Sequence, residues 1–104
     1  MIDLRPNYAR MVLEILEAQV PDAEVWAFGS RVAGTAQNHS DLDLAIVSET
    51  KLGPLAMVRL KLAFEESNIP FRVDVLDWHD LDEEFRKVIK NRYELLRKAK
   101  SGGN

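Results

Sequence analysis

The stretch Asp41-Leu42-Asp43-Leu44-Ala45-Ile46-Val47 constrains this chain more than any other. Leu42, Leu44 and Ile46 fall on one side of it, and Asp41, Asp43 and Ala45 on the other. Period-two alternation belongs to a β-strand, whose successive side chains point to opposite faces. The pattern predicts a strand with one face buried in a core and the other carrying two carboxylates. Such a sheet must bury its apolar face against a further layer.

The remaining sequence supplies that layer. Pro6 suits a helix first turn, and Met11, Val12, Ile15 and Leu16 follow at helical spacing until Pro21. Val25-Trp26-Ala27-Phe28 is short, aromatic and β-branched, and reads as a strand broken by Gly29-Ser30. Residues 31–40, RVAGTAQNHS, read as a loop with room for one helical turn. Gly53-Pro54 opens a second long helix, with Leu55, Val58, Leu62 and Phe64 as its expected core stripe and Asn68 and Pro70 closing it. Phe71-Arg72-Val73-Asp74-Val75-Leu76 reads as a third strand. Asp80 and Glu83 form an expected capping box for a helix carrying Phe85, Val88 and Ile89. Tyr93-Glu94-Leu95-Leu96 fits either a continuation of that helix or a short edge strand. Strands alternating with helices predict an α/β fold, with helices packed on one sheet.

Composition excludes several function classes. The 104 residues suit one domain and contain no cysteine, which rules out disulfides and thiolate zinc sites. No apolar run approaches the roughly 18 residues of a membrane span, and the N-terminal MIDLRPNYAR lacks a signal peptide's apolar stretch. A cytoplasmic location is the expectation. Residues 1–85 carry 16 acidic and 7 basic side chains, against 1 and 7 in residues 86–104. An acidic body is a poor general nucleic-acid binder. The basic end suits either a solvated last helix or a docking surface for an acidic partner or RNA. SGGN at residues 101–104 reads as a disordered tail.

The chemistry concentrates between Gly29 and Asp74. Glycine lets a ligand approach the backbone, and a helical turn starting at Ser30 would offer free N–H groups to an anion. Gly29 and Ser30 are therefore candidates for holding nucleotide phosphates. Arg31 follows them and is either in reach of triphosphate charge or in a surface salt bridge. Asp41 and Asp43, two apart on a strand, project from one face with Cβ atoms roughly 6–7 Å apart. Carboxylates so close repel, and a hard divalent cation such as Mg²⁺ relieves that repulsion. Asp74, between two valines in an apolar strand, needs a reason to be there. If it meets Asp41 and Asp43, three carboxylates could hold two metal ions, which stabilise the attacking and leaving oxygens of an in-line displacement. Among other polar and aromatic residues, Asp77 suits a capping or turn role, His39 a solvated loop position, Trp26 and Trp78 packing, and Tyr93 core or interface.

Gly29-Ser30, ten intervening residues and Asp41-x-Asp43 match the G-S-x10-D-x-D signature of the DNA polymerase β-like nucleotidyltransferase superfamily. The fuller string GSRVAGTAQNHSDLDLAIV resembles the minimal nucleotidyltransferases, the MntA-type antitoxins of HEPN/MNT toxin–antitoxin pairs, and FRVDVLDW resembles their third-acid strand. The resemblance runs from about Trp26 to Leu96. It implies the nucleotidyltransferase, or polymerase β palm-like, fold: a small mixed sheet with helices packed on one face, in a single domain over residues 1–100. It also implies that Asp41 and Asp43 bind two Mg²⁺ ions, that Asp74 is the third carboxylate on the catalytic metal, and that Gly29 and Ser30 bind the phosphates of ATP. The implied reaction is AMP transfer from ATP to a tyrosine of a HEPN-domain toxin partner. Larger relatives carry further domains to bind their acceptor, and here an acceptor from outside or from another chain is expected. Two other readings stay open: neutralisation of the partner by occlusion alone, and nucleotidyl transfer to a small molecule.

Overall fold

The computed structural model describes residues 2–37 and 40–100. In chain order they form α1 (Pro6–Gln19), β1 (Glu24–Phe28), α2 (Ser30–Ala33), β2 (Leu42–Val47), α3 (Pro54–Glu65) and β3 (Val73–Asp77). A 3-10 turn over Trp78–Asp80, α4 (Glu83–Asn91) and β4 (Glu94–Arg97) follow. Proline opens both α1 and α3, where a missing N–H costs nothing. His39 and the tail at 101–104 lie outside the described residues.

The strands form one mixed sheet in the order β3-β2-β1-β4. β1 runs antiparallel to both β2 and β4, and β2 runs parallel to β3. A parallel pair needs a crossover, and α3 provides it. Residues 94–97, open to either reading from sequence, are a strand: α4 ends at Asn91, and Arg92 turns extended with φ −156° and ψ 102°.

The main core lies on one face of the sheet. Val12 and Leu16 of α1 and Leu60 and Phe64 of α3 pack there on Val25, Ala27, Leu42, Leu44, Ile46 and Val75. The expectation of helices on one face holds for α1 and α3. α4 is the exception: its Ile89 packs with Phe28 and Ala45 on the opposite face, joined by Trp26, Leu76 and Trp78. Those apolar residues alternate with the main-core residues along β1, β2 and β3, so this face also needed a cover.

Two further expectations are corrected. The core stripe of α3 is Met57, Leu60 and Phe64, while Leu55, Val58 and Leu62 are exposed at 60%, 50% and 46%. The helix PLAMVRLKLAFE carries two apolar stripes at the same spacing, so periodicity alone cannot tell which one faces the sheet. The cap of α4 is Asp82, whose Oδ1 accepts from the Phe85 N–H at 2.8 Å. Asp80 instead closes the 3-10 turn and pairs with Lys51. No helix among the described residues is long and apolar enough to cross a membrane.

Candidate active site

The site grows from the edge-to-edge register of three strands. Phe28, at the end of β1, lies opposite Asp43, and Asp43 lies directly opposite Asp74. Residues paired across a ladder share a face. Asp43 and Asp74 therefore stand side by side on the face away from the main core. Asp41 precedes Asp43 by two residues, just ahead of β2, with an exposed side chain.

Gly29 closes the same end of the sheet. Its φ of +82° lies where side-chain-bearing residues rarely go, and a Cβ there would overlap Asp43 Oδ2 and stand 3.1 Å from its Cγ. The carboxylate of Asp43 thus lies against the bare backbone of Gly29. α2 begins at the next residue. The Gly29 carbonyl accepts from the N–H groups of Val32 and Ala33 at 3.0 and 2.9 Å. By its position at the first turn, the Ser30 N–H has no intrahelical acceptor. Gly34, in the left-handed conformation with φ +83°, ends the turn.

Electrostatics set Asp43 apart. Burial pushes its carboxyl above the ordinary aspartate range, and the charges of Asp74 and then Asp41 push it further, against an opposing pull from Arg72. Arg72 Nη2 stands 3.9 Å from Asp74 Oδ1, and both side chains are largely solvent-accessible, so their attraction is weak. Among the described residues, no three acidic or histidine side chains are already gathered into a metal-binding group. The donor set nevertheless fits a hard cation. It is all oxygen, Asp43 and Asp74 are adjacent in register, and Asp43 is crowded by negative charge. A cavity of about 530 Å³ opens beside Asp74, between the end of α3 and β3, and is lined by Lys61, Phe64, Glu65, Ile69, Phe71 and Arg72.

Of the expected site residues, Gly29, Ser30, Asp43 and Asp74 converge at one end of the sheet, with Asp41 at its margin. Arg31 is placed differently. It is 6% exposed, and its guanidinium donates to two main-chain carbonyls and lies over Phe71. Asp77 is buried on the opposite face from Asp74 and accepts from the N–H groups of His79 and Leu52, both at 2.9 Å, which is the capping role expected of it. Trp26 packs edge-on to Trp78, with centroids 5.1 Å apart, and stacks on Tyr93 at 4.1 Å. Sequence reasoning missed Phe28 as the neighbour of Asp43 and Phe71 as the seat of Arg31. Both follow from strand pairing and tertiary contact, for which a single sequence carries no signal.

Residues 12–101 match the family described as Polymerase beta, Nucleotidyltransferase, and the chain belongs to it. Over 95 residues it is 50% identical to the probable protein adenylyltransferase MntA of Haemophilus influenzae, covering 91% of this chain and 83% of that protein. Its fold matches a chain of a toxin–antitoxin complex solved with AMP-PNP, with a TM-score of 0.73, 21% identity and coverage of 86% and 73% of the two chains. It also matches a chain of the complex between a tri-AMPylated Shewanella oneidensis HEPN toxin and its MNT antitoxin, with a TM-score of 0.68, 15% identity and coverage of 91% and 73%.

Proposed function

We propose that this chain is a Mg²⁺-dependent protein adenylyltransferase that moves AMP from ATP to a tyrosine hydroxyl of a HEPN-domain toxin and so silences it. The observation that carries this reading is the register that sets Asp43 beside Asp74 with bare Gly29 against the Asp43 carboxylate. The similarity to the protein adenylyltransferase MntA supports the choice of reaction, and the fold match to an MNT antitoxin bound to its HEPN toxin supports the choice of partner.

In this reading Gly29 and the backbone at the start of α2 receive the triphosphate, with the Ser30 hydroxyl as a further donor. Asp41, Asp43 and Asp74 are the residues that would hold two Mg²⁺ ions, which would neutralise phosphate charge and make the acceptor oxygen a better nucleophile. Asp74 borders the cavity beside β3. The acceptor oxygen attacks the α-phosphorus and forms the new O–P bond. The bond from that phosphorus to the α–β bridging oxygen breaks, and pyrophosphate leaves. The acceptor's proton passes to the Asp74 carboxylate and from there to solvent.

A second reading, neutralisation by occlusion, is favoured by the exposed apolar row Leu55, Val58 and Leu62 on α3. Co-expression with a HEPN-domain toxin partner separates the two. Intact mass of that protein should show whole AMP additions with wild type and none with Asp41→Ala/Asp43→Ala. An unmodified partner that is still neutralised in both cases would leave occlusion as the function.

A further inference from the structure

Arg31 directly follows Gly29-Ser30, yet it is not a surface cation. Its Nε donates to the Ser40 carbonyl at 3.0 Å, and its Nη1 donates to the Asp3 carbonyl at 2.8 Å. Its guanidinium carbon lies 4.1 Å above the centroid of the Phe71 ring. The main chain repeats the tie, because the Asp3 N–H donates to the Arg31 carbonyl at 2.7 Å. Tyr8 braces Phe71 edge-on, with ring centroids 5.8 Å apart.

Ser40 is the residue immediately before Asp41. Its N–H donates to the Gln37 carbonyl at 3.0 Å, and its Oγ accepts from the Gln37 N–H at 2.8 Å. With Arg31 on the Ser40 carbonyl, that residue is held at three atoms. On the other side of Asp41, the Leu42 N–H donates to the Arg72 carbonyl at 2.9 Å. The exposed carboxylate of Asp41 thus rises from a backbone pinned before and after it.

The geometry points to Arg31 as a positioning residue: it fixes the Ser40 carbonyl, and through it the direction in which Asp41 offers its carboxylate to the metal beside Gly29-Ser30. This rests on the proposed function, since it takes Asp41 as a metal ligand. Arginine is the side chain this job needs. Its planar fork aims two donors in fixed directions while the flat face stacks on an aromatic ring, whereas lysine brings the charge without the fork. One short helix then serves both halves of the site, with Ser30 at the phosphates and Arg31 bracing the loop that carries the first carboxylate.

Mn²⁺ binding read by electron paramagnetic resonance, in the presence of a non-hydrolysable ATP analogue, tests this on the intact chain. Residues that orient metal ligands typically change metal affinity by about 10- to 100-fold. Arg31→Lys and Arg31→Met should both lose Mn²⁺ affinity by that factor, with thermal unfolding followed alongside. Recovery in Arg31→Lys alone would overturn the role, because it would mean that charge on the phosphates is what matters. Wild-type affinity in Arg31→Met would overturn it as well. If neither variant folds, Phe71→Leu removes the ring that orients the guanidinium but keeps an apolar filler. It should weaken Mn²⁺ several-fold, and unchanged affinity would overturn the role. A wild-type chain that takes up no Mn²⁺ with the analogue would overturn the proposed function itself, and this role with it.

Discussion

The two faces of the sheet share the strands β1, β2 and β3, and they ask opposite things of their residues. On the main-core face, Val25 and Ala27 of β1, Leu42, Leu44 and Ile46 of β2 and Val75 of β3 are buried against α1 and α3. Among the described residues of β1, β2 and β3, Asp77 at the end of β3 is the one charged residue on this face, and its carboxylate accepts two N–H bonds. On the other face, the alternate residues of the same strands begin with Phe28, Asp43 and Asp74 and continue into Ala45 and Leu76 under α4. The first face contributes stability. The second holds like charges together at some cost to stability, an arrangement expected at sites tuned for function. Substitutions on the two faces should therefore separate activity from folding.

Asp43→Asn should have the largest effect on activity. Loss of that carboxylate should lower AMP transfer by roughly 100- to 1,000-fold, as for removal of a preorganised charge-stabilising group. The same substitution should raise the melting temperature at neutral pH, because it removes a partly buried charge crowded by Asp74 and Asp41. An activity loss with a lower melting temperature would break the contrast between the faces.

Gly29→Ala comes next. The added Cβ would overlap the Asp43 carboxylate and force an L residue to φ +82°. A cost of about 1–2 kcal/mol in stability is expected from the backbone alone, and about 100-fold in transfer from the displaced Asp43. Denaturant unfolding and steady-state kinetics on one preparation check both numbers.

Leu44→Ala is the counterpart on the main-core face, at a fully buried position of the same strand. It should cost 2–5 kcal/mol of stability, on the order of other buried Leu→Ala changes. Transfer by the fraction that remains folded should stay close to wild type. A fall in transfer beyond the folded fraction would mean that the two faces are coupled through β2.

The pH dependence sharpens the same comparison. Because the Asp43 pKa is raised in the folded chain, its contribution to stability is full below the ordinary aspartate value of 3.8 and is lost as pH rises through the raised value. In metal-free buffer this component of stability should fall with pH across that window, and Asp43→Asn should remove it. The smallest effect is expected at Val58→Ser on the exposed row of α3, within about 0.5 kcal/mol in unfolding experiments.

Much of this was legible in the sequence, for physical reasons that differ by element. The alternation in β2 fixed the face of each of its residues, since a strand's period admits one answer once the apolar side is known. The proline openings of α1 and α3 and the Gly-Ser break after β1 marked boundaries that local backbone preference controls. The stripe of α3 was not legible, because Leu55, Val58 and Leu62 match Met57, Leu60 and Phe64 in spacing and character. The strand at Glu94–Arg97 was ambiguous because four residues are too few to show a period. The meeting of Asp43 with Asp74 was inferable only as a condition, since parallel register is set by packing far away in sequence. Arg31 next to a Gly-Ser turn reads from sequence as a candidate phosphate contact. Only the tertiary contact with Phe71 and Asp3 gives it another task.

The measurement that bears most directly on the central claim is isothermal titration of a non-hydrolysable ATP analogue into wild-type and Asp43→Asn protein, each with and without Mg²⁺. The account predicts that Mg²⁺ strengthens binding to wild type and leaves binding to Asp43→Asn unchanged. Equal Mg²⁺ dependence in the two proteins would contradict it, because the carboxylate pair beside Gly29 would then not be where metal and nucleotide meet.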